Sequence, residues 1–200
     1  MAFLRQLVDD GIVPAKAAEF SGYEGVQLFA EGHAAMCIGA SYQAEDIAVW
    51  AGIALENVLD MFGFVPLPSG PSGDGPGGGV LAGGMAYAIP RQSAHPELAL
   101  NLLHTLTSTD VLGRQCMQTG QLPPRRSALE EVAAMSPFHA ATGEMLRRAI
   151  LRPVTPAYAL LSDQLQAMIS DVITRRARPA AAAVSRAAET ISAVTRLPLA

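Results

Sequence analysis

Two hundred residues, half of them hydrophobic and with a formal net charge of -4, can bury a core as one large domain or two small ones. That apolar content excludes global disorder. The weak negative charge argues against a nucleic-acid partner, because no strong positive field exists to exchange for phosphate counterions. Cys37 and Cys116 lie far apart with no C-x-x-C, so structural zinc is not expected and two buried free thiols fit better than a disulfide. The opening MAFLRQLVDDG carries acidic residues where a secretory leader needs an apolar core, so no signal peptide is expected in this chain. No run of about eighteen apolar residues escapes glycine, proline or charge, so no transmembrane helix is expected either.

In chain order, Phe3, Leu4, Leu7 and Val8 share one helical face, and Gly11 supplies a left-handed stop. Ser21 and Glu24 form an S-x-x-E capping box ahead of a helix that carries Val26, Phe29 and Ala30 and ends at Gly32. His33–Ala40 (HAAMCIGA) is an apolar run of strand length, expected as a buried strand opening into Gly39-Ala-Ser41-Tyr42-Gln43. Asp46 to Leu59 is expected as a helix and Phe62–Leu67 as a strand. From Ser69 to Gly79 the chain is glycine and proline with nothing to nucleate structure, and this is expected to be a solvent loop. A second strand is expected from Val80 to Ile89, interrupted by Gly83-Gly84.

Beyond it, everything reads as helical. Ser93 is expected to cap a helix with Leu98, Leu102 and Leu106 inward, and Ser108 or Thr109 a second one running through Met117 to Gly120. Leu122-Pro123-Pro124 is extended, and Ser127 with Glu130 suggests another capping box. Ser136-Pro137 opens a helix with Phe138, Ala141, Met145 and Ala149 inward. After the Arg152-to-Pro156 break come two helices. The first carries Leu161, Leu165, Met168 and Val172; the second starts at Pro179 and carries Val184, Ala188, Ile191 and Val194.

Catalytic and cofactor motifs fail on context. Gly73 to Gly78 matches G-x-G-x-x-G formally, but a loop precedes it and a strand follows, whereas a dinucleotide site needs a strand before and a helix after. The Gly39-to-Gln43 turn resembles a nucleophile elbow without its closing glycine. His33, His95, His104 and His139 stand in no metal-binding spacing and read as surface or hydrogen-bonded residues. Glu130 and Glu131 point about 100° apart on a helix and read as helix-start charges. Arg175, Arg176 and Arg178 suit a solvated helix C-terminus. No cofactor, metal or enzymatic activity is expected.

Three features point to ligand binding instead. Ser41 and Tyr42 put an aromatic where a strand empties into a turn. Gly83-Gly84 within a strand allows close approach of a ligand or backbone. Arg152-Pro153 with Tyr158 places a planar donor fork and an aromatic at a helix break. Each has an ordinary reading as a core tyrosine, a β-bulge or a surface arginine. Together they offer what a sugar requires, aromatic platforms for its C–H faces and donors for its hydroxyl rim.

The stretches FAEGHAAMCIGASY (29–42), FGFVPLPSGP (62–71), GGGVLAGGMAYAIP (77–90), SAHPELALNLLHTLTSTD (93–110), TGQLPPRRSAL (119–129) and RPVTPAYALLSDQLQAMISDVI (152–173) occur in one order across most of the chain. Together they resemble the C-terminal half of family 1 extracellular solute-binding proteins, the maltose- and trehalose-binding type that serves ABC sugar importers. The resemblance implies an α/β, helix-rich chain with a partial type II periplasmic-binding-protein fold. Residues 1–61 would belong to the second lobe and 62–79 would be the hinge crossover strand and Gly/Pro loop. Residues 80–120 would return to the first lobe, and 121–200 would be a C-terminal helical segment of the second. It implies sugar or polyol contacts from Ser41, Tyr42, Gly83, Gly84, Met85, Arg152 and Tyr158, with Tyr42 replacing the commoner tryptophan and Met85 replacing a frequent aromatic. It also implies ABC permease subunits as membrane partners and a periplasmic or extracellular location for the full-length member. Because family members are about twice this length, the chain is expected to be truncated, with exposed first-lobe surfaces favouring self-association. The alternative expectation is a non-transport helical interaction or regulatory protein that reuses the lobe as scaffold.

Overall fold

Short polar signals set the helix ends, and the apolar residues between them decide what packs. A computed structural model describes residues 1–68, 79–174 and 179–195. The chain is helix-rich with one small sheet, an α/β arrangement, and divides into two compact units, Met1–Gly25 with Pro153–Ala200 and Val26–Arg152.

In the first unit, α1 (Ala2–Asp9) ends at Gly11, whose φ of 70° is the left-handed conformation that a stop requires. Leu4, Leu7 and Val8 are half-buried as expected, whereas Phe3 is exposed. Arg5 Nε donates to the Val172 carbonyl at 2.6 Å, near the end of α9 (Tyr158–Ile173), where a cation also suits the helix dipole. Packed on α9 is α10 (Ala180–Thr195), through Met168 and Val172 on one side and Ala183 and Ala187 on the other. The expected inward face of α10 is therefore corrected: Val184 and Val194 are exposed, because a close seam selects the small alanines one position earlier. Arg175, Arg176 and Arg178 lie outside the described residues.

The second unit starts within α2 (Glu24–Ala30) and continues with α3 (Ala44–Ala51) and α4 (Val58–Met61). Gly52 breaks the single helix expected from Asp46 to Leu59. Next come α5 (Pro96–Leu106), α6 (Thr109–Thr119), α7 (Arg126–Met135) and α8 (Pro137–Leu146). Val26, Ala30, Ala44, Ile47, Val58 and Phe138 form the core, with Phe29, Trp50, Phe62 and Phe64 packed around it. Phe64 meets Phe138 edge-on with ring centroids 5.1 Å apart, and Phe29 meets Phe62 at 5.0 Å.

Caps at α6 and α8 form as the sequence suggests. Ser108 Oγ accepts from the Val111 amide, and Ser136 Oγ accepts from the His139 amide at 3.3 Å ahead of Pro137. The Ser127–Glu130 box does not form. Ser127 is already inside α7, and its hydroxyl pairs with Thr109 at 2.9 Å. Ser93 is not the N-cap of α5: the helix starts at Pro96, and Ser93 Oγ accepts the amide of the capping His95. On α8 the buried residues are Phe138, His139 and Thr142, while Ala141 is exposed and Ala149 belongs to a strand.

The sheet is a parallel pair, β1 (Val80–Ala82) and β2 (Ala149–Leu151), in register Val80↔Ala149, Leu81↔Ile150 and Ala82↔Leu151. Three strand expectations are thereby corrected. His33–Ala40 forms no strand, and Met36 and Ile38 are 84% and 80% exposed, because no neighbouring strand takes up its ladder; only Cys37 turns into the core. Phe62 leaves α4 in extended conformation and the burial alternates up to Leu67, yet the stretch pairs only at Leu67 with Gly79. The strand expected over Val80 to Ile89 stops at Gly83. Of the Gly/Pro loop expected over Ser69 to Gly79, only Gly79 is among the described residues, and it bridges to Leu67; the G-x-G-x-x-G match at 73–78 lies outside them.

Candidate functional site

The turn bearing Tyr42 is built from a glycine and a glutamine. Gln43 is buried, and its Oε1 accepts the Ala40 amide at 2.8 Å. A methyl group on Gly39 would stand 2.9 Å from that oxygen, so Gly39 makes the room that Gln43 occupies. From the other side, Gly120 lies against the Ser41 carbonyl, where a side chain would come within 3.1 Å. Pinned in this way, the 3-10 turn Ser41–Gln43 leaves Ser41 half-buried and Tyr42 about half exposed. The turn is thus set by packing at its back, and the aromatic faces outward.

Gly83, Gly84 and Met85 follow the end of β1, and Arg152 follows the end of β2. In the parallel register Gly83 and Arg152 are the next residues on adjacent strands. They are in fact close: a methyl built on Gly83 would lie 3.1 Å from Arg152 Nη1. Both residues therefore sit at the C-terminal ends of parallel strands, where open α/β sheets bind ligands. Arg152 is exposed and holds no carboxylate among the described residues, whereas Arg114, Arg147 and Arg186 each hold one.

Met85 is almost wholly exposed and lines one side of a cavity of about 410 Å³ with Tyr87, Leu100, Leu103, His104 and Thr107. No sequence motif marks Tyr87, and His104, read from the sequence as a surface or hydrogen-bonded residue, is exposed at this cavity. Tyr87 could have been found from its spacing of two beyond Met85, which puts both on one side of an extended segment. Tyr158 belongs to the other unit, where it begins α9 and is half-buried.

Of the remaining reactive groups, His139 has structural partners. His139 is buried, with Nε2 3.0 Å from the Cys116 carbonyl and Nδ1 2.8 Å from Ser136 Oγ. A carbonyl only accepts, so Nε2 donates to it, and Nδ1 is left to take the Ser136 hydroxyl proton. His33, His95 and His104 are exposed. Cys37 and Cys116 are free thiols, Cys116 buried as expected and Cys37 only half-buried, and burial raises the pKa of both. Among the described residues no group of three His, Cys, Asp or Glu side chains could hold a metal ion, and no helix is long and apolar enough to cross a membrane.

Residues 1–112 match the profile of the family described as bacterial extracellular solute-binding protein. The match takes in the Tyr42 turn and the Gly83-Gly84-Met85 segment, and Arg152 and Tyr158 lie beyond it. With residues 1–112 of 200 matched, the chain belongs to the bacterial extracellular solute-binding protein family.

Proposed function

We propose that this chain is a carbohydrate-binding component of an ABC sugar transport system. The observation that carries the reading is the meeting of Gly83 and Arg152 at the C-terminal ends of a parallel strand pair, which sets a donor fork at the strand ends with no carboxylate on it among the described residues. In this reading Tyr42 and Met85 lie against the apolar faces of a sugar or polyol, with Ser41 contributing at its edge. Gly84, beside which the space is open, admits the ligand to the backbone, and Arg152, lying against Gly83, donates to its oxygens. No bond is made or broken. Hinge closure of two lobes on the ligand is the expected mechanism, the permease subunits are the membrane partners, and the site of action is periplasmic or extracellular.

A thermal-shift screen against mono- and disaccharides, polyols and glycerol phosphates tests this, since a ligand of the native state raises the melting point by mass action. A saturable rise with one class is the expected result. Tyr42→Ala and Arg152→Ala should each then weaken binding by about tenfold, the size of one lost stacking or charge-assisted contact. Unchanged affinity in both variants would overturn the site. The alternative, a helical interaction protein, draws its support from the exposed Leu98, Leu100 and Leu102 of α5. A concentration-dependent oligomer without any sugar response would favour it.

A further inference from the structure

The two glycines after β1 are not equivalent. Neither has a left-handed backbone, so conformation does not call for glycine at either position. Space is the remaining reason, and it applies to one of them. A methyl group on Gly84 meets nothing within 4 Å, whereas on Gly83 it would lie 3.1 Å from Nη1, 3.7 Å from Cζ and 3.9 Å from Nη2 of Arg152. Approach to all three atoms means that the guanidinium lies across the glycine instead of touching it with one tip. The strand register brings this about, since Ala82↔Leu151 is the last pair of the ladder and Gly83 and Arg152 come next. An exposed arginine without a carboxylate ordinarily samples many rotamers. This one has a seat.

We propose that Gly83 is a positioning residue: its missing side chain is the seat that holds the Arg152 guanidinium across the strand ends, with the fork's N–H groups turned to a ligand's oxygens. The seat itself is independent of the carbohydrate reading; only the identity of what the fork grips rests on it. A methyl group at residue 83 would press on the far end of a flexible arginine, which must give by about a few tenths of an ångström and so lose its close seat at little cost to folding. Gly83→Ala therefore separates the site from the scaffold, and Gly84→Ala is its internal control.

The test uses the 200-residue chain. In a 1H–15N spectrum the Arg152 Nε–Hε resonance is assigned by its disappearance in Arg152→Gln. The expected result is that Gly83→Ala moves this resonance toward that of a free arginine side chain while Gly84→Ala leaves it in place, with both melting points within about 2 °C of the parent. An unmoved resonance in Gly83→Ala, or an equal shift in Gly84→Ala, overturns the proposal. Should Gly83→Ala lose stability, adding Arg152→Ala restores it if the clash is the cause, and failure to restore it overturns the seat. Titration with maltose adds the functional arm. Gly83→Ala and Arg152→Gln should each weaken binding by about tenfold, and the double variant by no more than either, because both remove one contact. Parent-like binding by Gly83→Ala alongside a loss in Arg152→Gln overturns the proposal. A parent chain that binds no sugar sinks the carbohydrate reading instead and leaves the resonance to decide the seat.

Discussion

Within Val26–Arg152, one side is closed and the other open, though both use the same kinds of residue. Val58 is 0% and Phe138 4% exposed in the closed core, whereas Leu98 and Leu102, at helical spacing on α5, are 65% and 57% exposed. On the sheet, Leu81 and its register partner Ile150 are exposed as well. The closed side has rings on several segments that reach one another across short distances. The open side has three-residue strands and a helix packed chiefly on α6. Amphipathic spacing produces a face that could be buried, and only a second element at the right place buries it. Gly83, Gly84, Met85 and Arg152 all belong to the open side, where the ends of the two strands remain accessible.

The contrast is tested most strongly by truncating one residue on each side. Phe138→Ala should destabilise by about 3–5 kcal/mol in urea denaturation, as expected for an aromatic removed from a packed core. Leu98→Ala and Leu102→Ala should each stay within about 0.5 kcal/mol. Leucine losses comparable to that of Phe138 would mean that the α5 face is covered in solution and the comparison is wrong. A smaller effect is expected at the closed side's capping serine. Ser136→Ala removes the acceptor for the His139 amide and the partner of Nδ1, so a loss of about 1 kcal/mol should appear in the same denaturation assay. Ser136→Thr, which keeps the hydroxyl, should recover most of it.

The smallest effect lies at the start of α2, the helix that carries Val26 into the core. Ser21 Oγ donates to the Glu24 carboxylate, and together with the amides of Glu24 and Ser21 it holds that carboxyl below its ordinary range. A carboxyl lowered on folding stabilises above its unfolded pKa and loses that contribution as pH falls through the folded one. Glu24 is fully exposed, so solvent keeps the effect small. Ser21→Ala should move the Glu24 titration, followed by carboxyl NMR, back toward the ordinary value. No movement would show that the cap does not form.

The sequence by itself determined the local punctuation. Gly11 and Gly120 end helices, Ser108 and Ser136-Pro137 begin them, and the Met168–Val172 spacing marks an inward face, because each signal acts within about one helical turn. It also carried the candidate residues, since glycine pairs, an aromatic after a turn and an Arg-Pro break are visible as types. What the tertiary structure alone decided were matters of partnership. Among the described residues His33–Ala40 finds no partner for a ladder and Phe62–Leu67 only the Leu67–Gly79 bridge, although both have strand composition, while Ala149–Leu151 has a partner and becomes a strand in place of the end of a helix. Ser127 was drawn to Thr109 instead of a cap, and α10 turned its alanines inward because a close seam admits nothing larger. The meeting of Gly83 with Arg152 belongs to the same class. Residue type shows what a side chain can do, but two residues so distant in sequence touch only when a strand register brings them together, and no local pattern encodes that register.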